Sequence, residues 1–443
     1  MRSLRTRIFL PLSVTLALGA GCVDIESDDS SQETQSSPLT HAESSEQIKM
    51  ISDTHYIKVL PKGVETPKHM KEGAITWEYQ GQAEFVLEPK AYAMREFIDE
   101  PEKPLSADYW IDDILGSERI DELGRLWIAV EVDRGAAKEM FSAYDQAVEE
   151  TVGLEDAKLL DPSIPEYVEK SESMLTRGME EPLTWFTSDC DGDGGIDRFR
   201  WDSDDRLESA NLLNTRQRKV MRIQIGNGGL CSGTMVDDEW LLTAAHCVTD
   251  ANGYNRNLND FVVCTYGNYQ SSAQCFSVVD RVVASGWSSG QNMEDDYAVL
   301  KLSSSPGVGW MAISSASNGT LESNPVNNVG FPGTNKGPVC SSTSESSTVP
   351  FFFVGGGFRS LTASTQYRSQ GELFNATTNL VKTRVDLAKG HSGGPFFYYP
   401  SGCCGAHYLT GVATAYKKPT VGNAYTGGPK GPKIRNWVTI NTP

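Results

Sequence analysis

His246 in Thr243-Ala244-Ala245-His246-Cys247, the adjacent carboxylates Asp295 and Asp296, and Ser392 in Gly390-His391-Ser392-Gly393-Gly394-Pro395 have the residue types that acyl transfer needs. A serine hydroxyl is a weak nucleophile until a neighbouring base takes its proton. Histidine titrates near neutrality, so it can accept that proton and return it. A buried carboxylate holds the imidazole in one tautomer and stabilises its cation. Two backbone N–H groups must face the developing oxyanion, and glycines beside the nucleophile give the backbone the freedom such a turn requires. The chain offers these parts in the order His, Asp, Ser. Of six histidines, His41 lies in a polar tether, His55 and His69 in the N-terminal part, His391 beside the nucleophile and His407 in a Cys/Gly-rich stretch. His246 is left as the general base, and both Asp295 and Asp296 stand as its partner.

The elements that must hold these residues are short. From about residue 202 the chain is rich in Gly, Ser, Thr and Asn and carries apolar runs at Val220–Ile225, Trp240–Thr243, Phe261–Tyr266, Val278–Ala284, Tyr297–Leu302, Phe396–Tyr399 and Leu409–Thr414. Short strands separated by turn residues predict an all-β sandwich or barrel. Residues 48–185 contain no cysteine and mix two kinds of pattern. Tyr56–Leu60 and Leu126–Val132 read as strands, and Ala136–Val152 as a helix with Met140, Phe141, Tyr144 and Val148 on one face.

Thr-Ala-Ala-His-Cys, Asp296-Tyr297-Ala298-Val299-Leu300 and Gly-His-Ser-Gly-Gly-Pro resemble the three catalytic signatures of chymotrypsin-fold serine proteases. Asp204-Asp205-Arg206, Val329-Gly330-Phe331-Pro332-Gly333 and Asp386-Leu387 are similar to segments of the bacterial V8-like glutamyl endopeptidase branch. The resemblance runs from about 202 to 443 and implies a double antiparallel six-stranded β-barrel (chymotrypsin-like) protease domain. It does not reach residues 48–185, whose place before that domain suggests an α+β pro-region, with an independent domain around its own packed core as the alternative. It implies His246 as base, Asp296 rather than Asp295 as orienter, Ser392 as nucleophile, and the N–H groups of Gly390 and Ser392 as oxyanion hole. It also implies a Cys231–Cys247 disulfide beside the histidine. Cys264 and Cys275 flank a short polar segment that a disulfide would close, while Cys190, Cys340, Cys403 and Cys404 allow several pairings.

The chain departs from the family pattern at three places. His391 stands where trypsin-like enzymes keep the Asp that receives a new N-terminus, so that activation switch is not expected; a structural hydrogen-bonding role is. Asp386 stands where trypsin-like enzymes bind Arg or Lys, but Leu387 aligns it with a V8-like Asp that has no such preference. Ala413 replaces the pocket histidine of glutamyl enzymes, with Thr414 and Tyr416 continuing the same wall.

The N-terminus reads as a processing signal, residues 1–22: Arg2, Arg5 and Arg7 precede an apolar run, Ile8 to Ala20. Leu18-Gly19-Ala20-Gly21-Cys22 resembles a lipoprotein box, so lipidation of Cys22 and ordinary signal cleavage both stand. Residues 23–47 are too polar to build a core and read as a tether. Without Cys22, eight of the nine cysteines remain, an even number that fits disulfides in an exported chain. Residues 186–201 read as an acidic linker. Within it Asp189, Asp191, Asp193 and Asp197 imitate the start of an EF-hand loop, although Arg200 stands where that loop ends in Glu. A structural Ca²⁺ and a solvated linker are both consistent with that pattern.

The net charge of −19 disfavours nucleic acid as a partner. The expected molecule is a bacterial serine endopeptidase, secreted or held at the cell surface as a lipoprotein. It would be made as a proenzyme with its pro-region in cis, act as a monomer on proteins and peptides, and need no cofactor for catalysis. A non-catalytic binding protein on the same fold and an esterase with the same triad are the competing classes.

Overall fold

The computed structural model describes residues 47–86, 95–96, 109–159, 185–188, 198–201, 207–208, 218–226, 229–249, 253, 255–265, 274–316, 321, 325–331, 353–354, 357–358, 366–373, 377, 379–385, 387–398, 408–417 and 425–442. The N-terminal region carries β1 (Gln47–Met50), β2 (His55–Val59), β3 (His69–Glu72), β4 (Ile75–Gln82), β5 (Glu84–Val86), α1 (Tyr109–Ile114), β6 (Glu118–Ile120), β7 (Arg125–Val132) and α2 (Arg134–Leu159). The predicted strands at Tyr56 and Leu126 are present within two residues of their expected bounds, and the predicted helix is present but runs seven residues further, to Leu159.

Six strands then form a closed barrel: β8 (Val220–Ile225), β9 (Gly229–Met235), β10 (Trp240–Thr243), β11 (Phe261–Cys264), β12 (Cys275–Val283) and β13 (Ala298–Leu302). They pair in the order β11-β8-β9-β10-β13-β12, and β11 pairs with β12 to close the ring. Closure hides most of the backbone groups that a small antiparallel sheet would leave unpaired at its edges, while Arg281–Val283 of β12 keep an edge for a further strand. The apolar runs are buried on both sides of the barrel wall: Trp240, Leu241 and Leu242 of β10 and Val299 and Leu300 of β13 all leave solvent, successive residues facing opposite sides. Each such side chain contributes about 1.5–3 kcal/mol on leaving water.

A second ring follows from β14 (Pro325–Gly330), β15 (Tyr367–Glu372), β16 (Leu380–Thr383), β17 (Pro395–Tyr398), β18 (Tyr408–Val412), β19 (Ala415–Lys417) and β20 (Tyr425–Pro429). One sheet runs β15-β14-β17-β18, another β16-β20-β19, and the bridges Leu373↔Thr383 and Gly411↔Lys430 join them. Between the barrel strands lie α3 (Ala245–Val248) and α4 (Ser285–Gly290), and α5 (Gly431–Asn441) follows β20. Among the described residues, no helix is long and apolar enough to cross a membrane.

The N-terminal region does not close a core of its own. β6 pairs with β12, so the first barrel continues as a ten-stranded sheet through β6, β7, β4 and β3. Trp77 and Trp127 belong to the same buried cluster as Leu241 and Val299. The apolar face of α2 finds its partner in the C-terminal half: Tyr144 lies 6.0 Å from Trp310 and its hydroxyl accepts the Ile313 N–H at 2.8 Å. Residues 46–443 accordingly form one compact unit.

Charge pairs cross the same seam. The Arg119 guanidinium grips Asp280 of β12, with Nε 2.8 Å from Oδ2, and also reaches Glu72. Burial works against the Arg119 charge, but Asp280 and Glu72 outweigh it and hold the group above its ordinary value. Burial likewise pushes the Asp280 carboxyl up to about 6, with Arg119 pulling it back. Lys433 of α5 faces Asp113 of α1, and Arg435 pairs with Asp145 of α2.

The strands Trp185–Ser188 and Arg198–Trp201 pair with each other, and the second pairs with Leu387–Ala388. The flanks of the expected acidic linker are therefore built into the sheet structure of the C-terminal half. Asp189, Asp191, Asp193 and Asp197, residues 1–46 with Cys22, and Cys190, Cys340, Cys403, Cys404 and Asp386 lie outside the described residues, while Gln47, expected at the end of the tether, opens β1.

Candidate active site

The loop after β10 carries His246 on α3, fully within the protein. His246 Nδ1 lies 2.8 Å from Asp296 Oδ2, and the His246 backbone N–H donates to Asp296 Oδ1 at 2.9 Å. One carboxylate thus fixes both the ring and the backbone of the histidine. With Nδ1 committed to the carboxylate, Nε2 is the nitrogen left to exchange a proton. Asp295 points elsewhere: its Oδ1 lies 2.7 Å from Lys433 Nζ and its Oδ2 accepts from Asn292. Of the two neighbouring carboxylates it is Asp296, as the resemblance implies, that meets His246.

Burial disfavours the Lys433 charge, yet Asp295, Asp113 and Glu294 hold it above the ordinary lysine value. Burial pushes Asp113 up to about 6, with Lys433 opposing. The room for Asp295 depends on Gly286, where a Cβ would sit 1.9 Å from Asp295 Oδ2.

The nucleophile turn packs directly against the histidine loop. A Cβ on Gly393 would stand 2.1 Å from both Ser232 O and Thr243 Oγ1, and 3.0 Å from Ala244 N. Gly393 also takes φ +84° and Gly390 φ +97°, a region that favours glycine. The Ser392 carbonyl accepts the Ser232 N–H at 2.7 Å, and Gly393 N–H donates to Ala413 O at 2.7 Å. Among the described residues, no backbone acceptor takes the N–H of Gly390 or of Ser392.

His391 turns the other way. It is buried, and its Nδ1 lies 2.7 Å from Asn328 Oδ1 of β14. The expected structural role agrees with that placement.

Cys231–Cys247 and Cys264–Cys275 are both bonded. Cys231, His246 and Cys247 lie close enough to look like a metal cluster. The sulfurs are consumed by the disulfide and Nδ1 by Asp296, so this is not a metal donor set. Ala413 and Tyr416 are buried in the core of the second barrel with Val326 and Phe396. Thr414 is buried beside them and its N–H donates to Gly427 O at 3.0 Å.

Sequence reasoning assigned no role to Ser232, although it lies beside Cys231. Its Oγ donates to Gly390 O at 2.7 Å and accepts the Phe331 N–H at 2.8 Å, while its N–H holds Ser392. It clamps the backbone on both sides of His391. A second unforeseen contact lies at β19. One edge of β19 pairs with β20, and the other pairs in parallel with Arg95–Glu96 of the N-terminal region.

The family model for trypsin matches residues 213–438. The chain belongs to the trypsin family. Its protease half is therefore a chymotrypsin-fold serine protease domain, and the two rings are the two barrels of that fold. No curated protein matches this chain. Among solved structures, a Glu endopeptidase in complex with MPD is similar at 21% identity, over 54% of this chain and 96% of that one, with a TM-score of 0.40.

Proposed function

We propose that the chain is an exported bacterial serine endopeptidase that hydrolyses peptide bonds through an acyl-enzyme on Ser392. The supporting observation is the buried His246–Asp296 pair at 2.8 Å, packed against the Gly390–Gly394 turn. Ser392 Oγ attacks the scissile carbonyl carbon while His246 Nε2 takes its proton. The oxyanion accepts from the Gly390 and Ser392 N–H groups. The C–N bond breaks as the imidazolium returns the proton to the leaving amine. Water, deprotonated by the same nitrogen, then releases the acid and restores Ser392. Asp296 remains ionised throughout and stabilises the imidazolium. Each oxyanion donor is worth about 10²–10³ in rate.

We place the chain in the V8-like branch on Asp204-Asp205-Arg206, Val329-Gly330-Phe331-Pro332-Gly333 and Asp386-Leu387. Asp386, Ala413, Thr414 and Tyr416 then form the primary pocket. The proenzyme reading draws support from Arg95–Glu96. β19 starts two residues beyond Ala413, which is bonded to the nucleophile turn. Its outer edge is where an extended peptide adds as a strand, and Arg95–Glu96 occupies it. Cleavage near residue 200 and displacement of that contact would open the edge. Lipidation of Cys22 would keep the enzyme at the cell surface, and Ca²⁺ at Asp189, Asp191, Asp193 and Asp197 would brace the segment before the protease half. Metal removal by a chelator then lowers the melting temperature, and an unchanged melt removes Ca²⁺ from the account.

Digestion of casein and of a peptide library, read by mass spectrometry, tests the reading. The expected result is cleavage at defined residues that is lost in Ser392→Ala. Turnover of small esters with intact casein would support the esterase class instead, and no turnover of either would support a binding protein.

A further inference from the structure

The residue before the orienting carboxylate and the residue after it are both anchored by α5. Asp295 is held by Lys433 at 2.7 Å. Tyr297 is buried and meets the Trp437 ring edge-on, centroids 5.0 Å apart. Asp296 therefore sits on a three-residue segment gripped at both ends by one helix. That helix is in turn gripped by the N-terminal region. Lys433 Nζ lies 3.5 Å from Asp113 Oδ1, and Trp437 Nε1 donates to Ser117 Oγ at 3.0 Å. Glu294, the next residue back, lies 3.8 Å from Lys433 and accepts from Asn379 at 2.7 Å.

Three carboxylates from two parts of the chain thus converge on one ammonium that is 5% exposed. Shielded from water, these groups interact more strongly with one another than surface charges do. Without Lys433 the cluster would hold only like charges, and the segment carrying Asp296 would be pushed apart.

We propose that Lys433 and Asp113 are positioning residues for the reaction: through Asp295 they hold Asp296 against His246, and Asp113 makes the N-terminal region a standing part of the active enzyme. The inference rests on the Ser-His-Asp reading given above. The N-terminal region then has two distinct roles. The Arg95–Glu96 contact covers the peptide edge, whereas α1 and the sheet extension support the carboxylate loop.

The experiment uses the processed, secreted protein, with active sites counted by titration with a fluorophosphonate. Lys433→Met should lower kcat per titrated site by about 10²-fold, the scale of a 1 Å misplacement, with KM held within about twofold. Lys433→Arg should restore most of it. Asp113→Asn, nearly isosteric and still able to fold if Lys433→Met does not, should lower kcat in the same way but less. In an Asp296→Asn background neither substitution should lower kcat further, because the carboxylate they position is gone. The low-field proton resonance of the His246–Asp296 hydrogen bond should move in both variants. The N-terminal region should co-purify with the protease half after processing.

A purely structural role would reduce the number of titrated sites and leave kcat per site and the proton resonance at parental values; that result overturns the proposal. Full activity after loss of the N-terminal region overturns the part assigned to Asp113. A parent that neither labels nor hydrolyses peptides overturns the protease reading itself, which an active parent with unaffected variants would leave standing.

Discussion

Arg119→Ala is the sharpest perturbation of the seam between the N-terminal region and the first barrel. The guanidinium is 11% exposed and its main partner, Asp280, 7%. Removing one member of a buried pair costs about 3–5 kcal/mol, because the other charge stays buried without compensation. Glu72 is 32% exposed and rehydrates, so its share is at most about 1 kcal/mol. Arg119 also lies 5.7 Å over the Trp77 ring, worth about 0.5–1 kcal/mol. The expected loss is therefore about 4 kcal/mol at pH 7.5, dominated by Asp280. Urea unfolding in the Ser392→Ala background, which prevents self-digestion, reads it through tryptophan fluorescence.

The pH dependence carries the mechanism. Asp280 already stands at about 6 with Arg119 present, through burial. Without Arg119 it rises further. A carboxyl whose folded value exceeds its unfolded value binds its proton more tightly when folded, so its contribution to stability falls as pH rises through that window. The defect should shrink at pH 5 and be largest above pH 7, and Asp280→Asn should recover part of it at pH 7.5. A loss below about 1 kcal/mol, or one equal at pH 5 and 7.5, would refute the claim that a buried charge pair ties the two regions together.

Asp296→Asn should lower kcat by about 10⁴-fold by releasing the imidazole tautomer, while Asp295→Asn should lower it far less; steady-state kinetics on one peptide decides between the two carboxylates. Ser232→Ala removes the hydroxyl that bonds Gly390 and Phe331; it should cost about 1–3 kcal/mol in urea unfolding and lower kcat with KM unchanged. Replacing Cys231 and Cys247 together by Ala opens a loop with a sequence separation of 16; the expected cost is about 3 kcal/mol, read from the unfolding midpoint.

The residues that do local chemistry were legible from their neighbours. His246 lies on the short helix α3 among small residues and Ser392 in a glycine-rich turn, so each motif is compressed into adjacent letters. Five of the six strands of the first barrel were legible for the same reason, since their apolar runs are largely buried; β9, Gly229–Met235, was not, because its Gly, Ser and Thr residues give no apolar run. Partners distant in the chain were not. Lys433 holds Asp295, the neighbour of Asp296, from the far end of the sequence, and no local pattern announces that pair. Ser232 acts on Gly390 across 158 positions. The apolar face of α2 was readable, but its target, Trp310 and Ile313, was not. β6 has three residues, too few for an alternation to register, yet it joins the two regions into one sheet.

The central claim is that Ser392 is a nucleophile activated by His246. Treatment of the processed protein with a fluorophosphonate, followed by intact-mass and peptide mapping, tests it directly. The expected result is one adduct per chain, on Ser392, formed slowly in His246→Ala and not at all in Ser392→Ala. An unmodified Ser392 in protein whose barrels are folded, or an adduct on another residue, would contradict it.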